Sequence, residues 1–239
     1  MEAIILAGGF GTRLAQIIPD LPKPMAPIAG RPFLWYLLNV LKAQGFQDVN
    51  LSIGYKASVI EQAFGDRYET VALAYCVEKV PLGTGGAIRW ALSRTKSTGN
   101  IFVLNGDTFA QVDYRDMQQQ HEESGAQLTV ALMHVPDVAR YGAVITEGEW
   151  IREFCEKGSV GPGLINSGVY LMDRYFFSEL ERQVGPFPET FAFEREILSR
   201  HSQSLRIGGF VAGGYFIDIG IPEDYERAQT ELPEHLSRL

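Results

Sequence analysis

The stretch that most limits what this chain can fold into is its first. Ala3-Ile4-Ile5-Leu6-Ala7 runs straight into Gly8-Gly9-Phe10-Gly11-Thr12-Arg13-Leu14, and Pro22-Lys23-Pro24 follows. An unbroken apolar run of strand formers has no polar face to give to water, so it belongs in a parallel sheet covered on both sides. Glycines at its end place a tight turn at the sheet edge where α/β proteins bind ligands. Glycine lets successive backbone N–H groups crowd an anion, the Thr12 hydroxyl adds a donor, and Arg13 and Lys23 add two cations. Together these predict a polyphosphate site rather than a plain strand-to-helix turn. Two familiar glycine signatures do not fit. A dinucleotide fingerprint starting at Gly9 needs a third glycine where Leu14 stands, and no G-x-x-x-x-G-K-[ST] loop occurs in the chain.

With 239 residues, 46% of them apolar, the chain can bury the core of one α/β domain or of one domain with a substrate-binding lobe. Its formal charge of −8 argues against a nucleic-acid partner, which would call for a basic face. A phosphate site must then be locally basic within an acidic shell. Cys76 and Cys155 form no C-x-x-C pair and read as free thiols of a reducing compartment. Glu2 and the short apolar run after it do not make a signal peptide, and no apolar segment reaches the roughly 20 residues of a membrane span. The expectation is a soluble, cytoplasmic protein with no nucleic-acid and no membrane partner.

Along the chain, apolar residues at 33, 34, 37, 38 and 41 predict a helix over Arg31 to Gln44, stopped by Gly45. Val49 to Ile53 reads as a strand, Ser58 to Phe64 as a helix and Val71 to Val77 as the next strand. This alternation predicts an α/β fold, a Rossmann-like, mainly parallel mixed sheet with helices on both faces. A second glycine loop, Glu78 to Ala87, precedes an expected helix from Ile88 to Thr95 and offers further backbone donors. Ile101 to Leu104 reads as a buried strand ending in Asn105-Gly106-Asp107, which puts a carboxylate in the ligand crevice, where it would serve as a magnesium ligand beside polyphosphate.

From Tyr114 to Ser124 the chain predicts a surface helix, followed by a strand over Gln127 to Val135. Tyr141 to Ile145 and Trp150 to Lys157 predict a strand pair turning at Glu147-Gly148, where the βα rhythm gives way to a smaller, more antiparallel lobe. Ile165 to Tyr170 begins another strand, Phe191 to Leu198 suggests a helix, and Ser204 to Val211 a strand. Tyr215 to Gly220 repeats the pattern of an apolar run ending in an aspartate, Asp218, before a last helix from Pro222. Asp218 sits too far from that proline to be its cap. The chain reads as one domain over 1–239, with a phosphate-binding half of about 1–110 and a half of about 111–239 that carries the other substrate. It contains no hexapeptide repeat, so an appended acyltransferase β-helix is not expected.

The pattern Gly8-Gly9-Phe10-Gly11-Thr12-Arg13-Leu14, then Pro22-Lys23-Pro24, then Leu104-Asn105-Gly106-Asp107, resembles that of the sugar-phosphate nucleotidyltransferases, or NDP-sugar pyrophosphorylases, from the first strand to about Asp224. The resemblance implies a GT-A-like nucleotide-diphospho-sugar transferase fold whose antiparallel lobe binds the sugar. It implies nucleotide contacts from Leu6, Ala7, Gly8, Gly9, Gly11, Thr12 and Arg13, and from Glu78, Pro81, Gly83, Thr84 and Asp107. The sugar phosphate would fall to Gly142, Glu156, Lys157 and Asn166, and Mg²⁺ to Asp107 and Asp218. Arg13, Lys23, Asp107 and Asp218 would be the catalytic set.

The partners implied are a nucleoside triphosphate and a sugar 1-phosphate; the oligomeric state is not readable. An attacking phosphate is already anionic, so alignment and charge neutralisation suffice, and His121, His134, His201 and His235 are left without a role. Glu78 stands where pyrimidine-using relatives often carry glutamine. A carboxylate accepts from both N1–H and N2–H of guanine but cannot donate to a uracil carbonyl, which favours GTP. The resemblance favours a heptose 1-phosphate as acceptor; mannose 1-phosphate with GTP, N-acetylmuramate 1-phosphate with UTP, and a catalytically silent sensor on the same fold are the alternatives, and silent relatives typically lack one of the four charged residues present here.

Overall fold

The computed structural model describes residues 1–9, 14 and 17–237. Strand β1 (Glu2–Leu6) is followed by a 3-10 turn at Lys23–Met25, a small hairpin of β2 (Pro27–Ile28) and β3 (Arg31–Pro32), and helix α1 (Phe33–Ala43). Next come β4 (Asp48–Ile53), α2 (Ala57–Phe64), β5 (Arg67–Tyr68), β6 (Val71–Val77), α3 (Gly83–Leu92), β7 (Asn100–Asn105) and β8 (Thr108–Ala110). The second half supplies α4 (Tyr114–Ser124), β9 (Leu128–Val135), β10 (Val144–Glu147), β11 (Trp150–Phe154), β12 (Gly163–Asp173) and α5 (Phe176–Val184). A π-helical turn over Glu194–Ser199, β13 (Ile207–Ala212), β14 (Phe216–Asp218) and α6 (Pro222–Leu236) complete it.

Among the described residues one ten-stranded sheet runs in the order β10, β11, β13, β9, β12, β7, β1, β4, β6, β5. Strands β10, β13, β9, β7, β1, β4 and β6 point one way, against β11, β12 and β5. The apolar first strand lies at the centre, parallel to β4 on one side and β7 on the other. Its side chains alternate between two cores: Ala3 and Ile5 pack with α1, α4 and α6, while Ile4 packs with α3, α5 and the π turn. No residue of such a strand can be polar on a face without burying that polarity, which is why the run is continuous.

Several boundaries differ from the sequence expectations, each for a tertiary reason. The helix expected from Ile88 starts at Gly83, so the second glycine loop is its first turn. Glycine costs about 1 kcal/mol in a helix. Here it is required, because the backbone of Phe191 docks on that turn: Gly85 N–H donates to Phe191 O at 2.9 Å and Phe191 N–H to Leu82 O at 3.0 Å. A methyl on Gly85 would stand 2.1 Å from the Phe191 ring. The strand expected to reach Lys157 stops at Phe154, leaving Glu156 and Lys157 in an exposed turn, and Tyr141 to Ala143 precede β10 instead of belonging to it. The antiparallel strands of the second half extend the same sheet, and among the described residues they form no second sheet of their own beyond the pair β14 and β8. The helix expected from Phe191 is a π turn, and α5 has no counterpart among the sequence expectations.

Candidate active site

The parallel strands β1, β4, β6 and β7 all end on one edge, and their last residues are tied together there. Ala7 N–H donates to Ser52 O at 2.7 Å, Glu78 N–H to Ile53 O at 2.7 Å and Gly106 N–H to Leu6 O at 2.9 Å. A cavity of about 350 Å³ opens above this edge, lined by Leu6, Ala7, Gly8 and Gly9 on one wall, by Pro81, Gly83 and Thr84 on another, and by Lys23, Glu78 and Asp107. The nucleotide residues inferred from the sequence that fall among the described ones thus share one cavity. Gly11, Thr12 and Arg13 lie outside the described residues.

Glu78 is held at the foot of this cavity. Its Oε1 accepts from Ser52 Oγ at 3.1 Å and its Oε2 from Leu82 N–H at 3.1 Å, leaving further lone pairs on both oxygens. A Cβ on Gly8 would stand 2.7 Å from Oε1, so that glycine is what lets the carboxylate lie against the end of β1. The Thr84 side chain is spent within the protein: its hydroxyl donates to Glu194 Oε2 and accepts from Phe193 N–H, each at 2.8 Å.

A second cavity, about 700 Å³, adjoins the first and shares Asn105 with it. Gly142, Glu156, Lys157 and Asn166 all line it, as does Asp218. Glu156 and Lys157 are exposed and make no ion pair among the described residues. Asn166 is tied on both sides: its amide donates to the Tyr170 hydroxyl at 2.9 Å and its carbonyl accepts from Gly168 N–H at 2.9 Å. The sequence did not single out the π turn, whose Glu194, Arg195 and Ser199 form another wall of this cavity. Its only cue was a charged run in an apolar setting.

Where the cavities meet, three charges converge. The strands β14 and β8 pair antiparallel with Asp218 opposite Thr108, which carries Asp218 from the far end of the chain to the residue beside Asp107. Lys23 Nζ lies 2.6 Å from Asp107 Oδ2 and 3.7 Å from Asp218 Oδ1. The lysine is delivered by the short turn Lys23–Met25, whose Pro24 and Met25 are buried and anchor it. Burial, and then the neighbouring Asp107, push the Asp218 carboxyl above the usual carboxylate range, while Lys23 pulls it back. Asp218 does not cap α6; Ile221 occupies that position.

This donor set suits Mg²⁺. Two carboxylates already close enough to share one cation meet the usual demand of that ion, which takes one or two protein carboxylates and completes its shell with phosphate oxygens and water. Among the described residues no group of three or more His, Cys, Asp or Glu side chains forms a closed metal cage. No histidine lines either cavity. Among the described residues no helix is long and apolar enough to cross a membrane.

A D-glycero-alpha-D-manno-heptose 1-phosphate guanylyltransferase of Aneurinibacillus thermoaerophilus is 44% identical, over 99% of this chain and 100% of its own length. A protein of the same name from Campylobacter jejuni is 42% identical over 94% of this chain and 97% of its own. The crystal structure of HddC from Yersinia pseudotuberculosis, solved also as a complex with GMP-PN, matches with a TM-score of 0.81 at 37% identity, covering 95% of this chain and 97% of that one. Residues 2–235 match the nucleotidyl transferase family, and the chain belongs to that family.

Proposed function

We propose that this protein transfers a guanylyl group from GTP to D-glycero-α-D-manno-heptose 1-phosphate, giving GDP-heptose and pyrophosphate, for the assembly of bacterial surface polysaccharide in the cytoplasm. The observation that carries the reaction class is the convergence of Lys23, Asp107 and Asp218 where the two cavities meet. The nucleotide would occupy the smaller cavity and the sugar phosphate the larger. An oxygen of the sugar phosphate attacks the α-phosphorus of GTP, the bond from that phosphorus to the bridging oxygen breaks, and pyrophosphate leaves with the electron pair. No proton has to be removed from the nucleophile, consistent with the lack of a histidine in either cavity.

Lys23 lies between the carboxylates and would neutralise the charge that builds on the α-phosphate. Arg13 and the amides of the glycine loop would take the charge of the leaving pyrophosphate. Asp107 and Asp218 would hold Mg²⁺, which would supply Lewis-acid offset of phosphate charge there. Lys157, on the wall of the larger cavity and without an ion pair among the described residues, would hold the acceptor phosphate, with Gly142, Glu156 and Asn166 about the sugar. Glu78, with lone pairs to spare on both oxygens, is positioned to accept from guanine N1–H and N2–H. Asp107→Ala tests the reaction class: pyrophosphate release should be lost while the melting temperature holds. Undiminished turnover in that variant would sink the assignment of Asp107.

A further inference from the structure

Arg140 stands behind Asp218 and takes no part in the arrangement described so far. One guanidinium nitrogen lies 3.6 Å from Asp218 Oδ2, and another donates to Asp224 Oδ2. The group also lies 4.8 Å over the Tyr141 ring. Asp224 is a firm anchor: its side chain is only 7% exposed, it sits in the first turn of α6, where the helix field favours an anion, and its other oxygen accepts from Arg227 at 2.9 Å. The turn carrying Arg140 is fixed as well, since Tyr141 and Gly142 N–H both donate to Val138 O, at 3.0 and 2.9 Å.

Asp218 needs such a support. It ends a three-residue strand whose only partner among the described residues is β8, and it faces the like charge of Asp107. Left alone, a carboxylate there would turn away from its neighbour. Gly220 N–H holds Oδ1 at 2.8 Å and Lys23 approaches the same oxygen, so Arg140 is the group that fixes the other one. Tyr141 and Gly142 line the larger cavity, whereas Arg140 itself does not, which sets it behind the site instead of in it.

We propose that Arg140 is a positioning residue for nucleotidyl transfer: braced on buried Asp224, it orients the Asp218 carboxylate so that Oδ1 faces Lys23 and Asp107. The inference rests on the role given to Asp218 above. A planar guanidinium presents a separate nitrogen to each aspartate in a fixed fork, where a lysine has a single nitrogen on a flexible stem to offer both.

The test compares Arg140→Met, Arg140→Lys and Asp218→Asn with the native protein. Mn²⁺ binding to the complex with a non-hydrolysable GTP analogue is followed by electron paramagnetic resonance, beside kcat, the KM of the sugar 1-phosphate and the melting temperature. Loss of a group that orients a metal ligand typically costs about 10–100-fold in affinity. Arg140→Met should weaken Mn²⁺ binding to that extent and lower kcat, with the KM of the sugar phosphate nearly unchanged, and Arg140→Lys should restore only part. If Arg140→Met fails to fold, Arg140→Lys carries the comparison. Native Mn²⁺ affinity in a folded variant would overturn the proposal, as would a raised sugar-phosphate KM with Mn²⁺ binding intact, which would make Arg140 a direct phosphate contact. Native behaviour of Asp218→Asn would instead overturn the role of Asp218 on which the proposal depends.

Discussion

At the scale of single residues, the chemistry rests on charges that the fold holds in unfavourable company. Asp107 and Asp218 stand close enough to share Lys23, and partial burial, then the neighbouring Asp107, push the Asp218 carboxyl up while Lys23 pulls it back. Their positions were legible because an aspartate that ends an apolar run must project at the sheet edge. Arg140 was not legible: it stands in a mixed stretch between Val138 and Tyr141, and only the packing of α6 against the turn shows what it touches. Glu194 was missed for the same reason, since its bond to Thr84 spans 110 positions. The choice of base also belongs to this scale. Glu78→Gln keeps the size of the side chain but replaces one acceptor oxygen by a donor, so discrimination between GTP and UTP should fall by at least about tenfold, the worth of one good hydrogen bond to a charged group. An unchanged ratio of kcat/KM for the two nucleotides would remove Glu78 as the base reader.

At the scale of elements, periodicity located what local sequence controls and failed where distant segments decide. Helix α4 begins and ends as its pattern predicts because it is capped locally: the Asp113 side chain accepts from Arg115 and Asp116 N–H, and Gly125 closes it at φ +63°. The start of α3 was displaced because Phe191, far away in sequence, makes Gly83 to Gly86 helical. Helix α4 also carries a titration. His121 is buried, its ring nitrogen lies 2.7 Å from Thr129 Oγ1 on β9, and burial lowers its pKa below 6.5. Above 6.5 the ring is neutral in both folded and unfolded chains. Below it the unfolded chain takes up a proton that the fold resists, so stability should fall as pH drops from 6.5 toward the native value. Melting temperature followed downward from neutral pH should show this loss. His121→Gln should have a shallower slope over the same window, and parallel slopes would show that His121 is not the group responsible.

At the scale of the whole molecule, one sheet supplies both binding walls. Parallel strands end at the smaller cavity, and β10, β11 and β12, with the pair β14 and β8, line the larger cavity beside it. The net charge of −8 is compatible with anionic ligands because the cations are placed locally, Lys23 at the junction and Lys157 on the outer wall. The α/β class followed from strand and helix alternation, but the joining of both halves into one sheet did not, since pairings such as β12 with β7, which sets Val169 opposite Leu104, join segments with several elements between them in the chain and leave no local mark. The most direct test is pyrophosphate release with Mg²⁺, crossing GTP, ATP, UTP, CTP and dTTP against a panel of sugar 1-phosphates that includes the α-manno-heptose and mannose. Release with GTP and the heptose 1-phosphate, well above every other pair, is the predicted result; release from no pair would contradict the assignment of nucleotidyl transfer to this site.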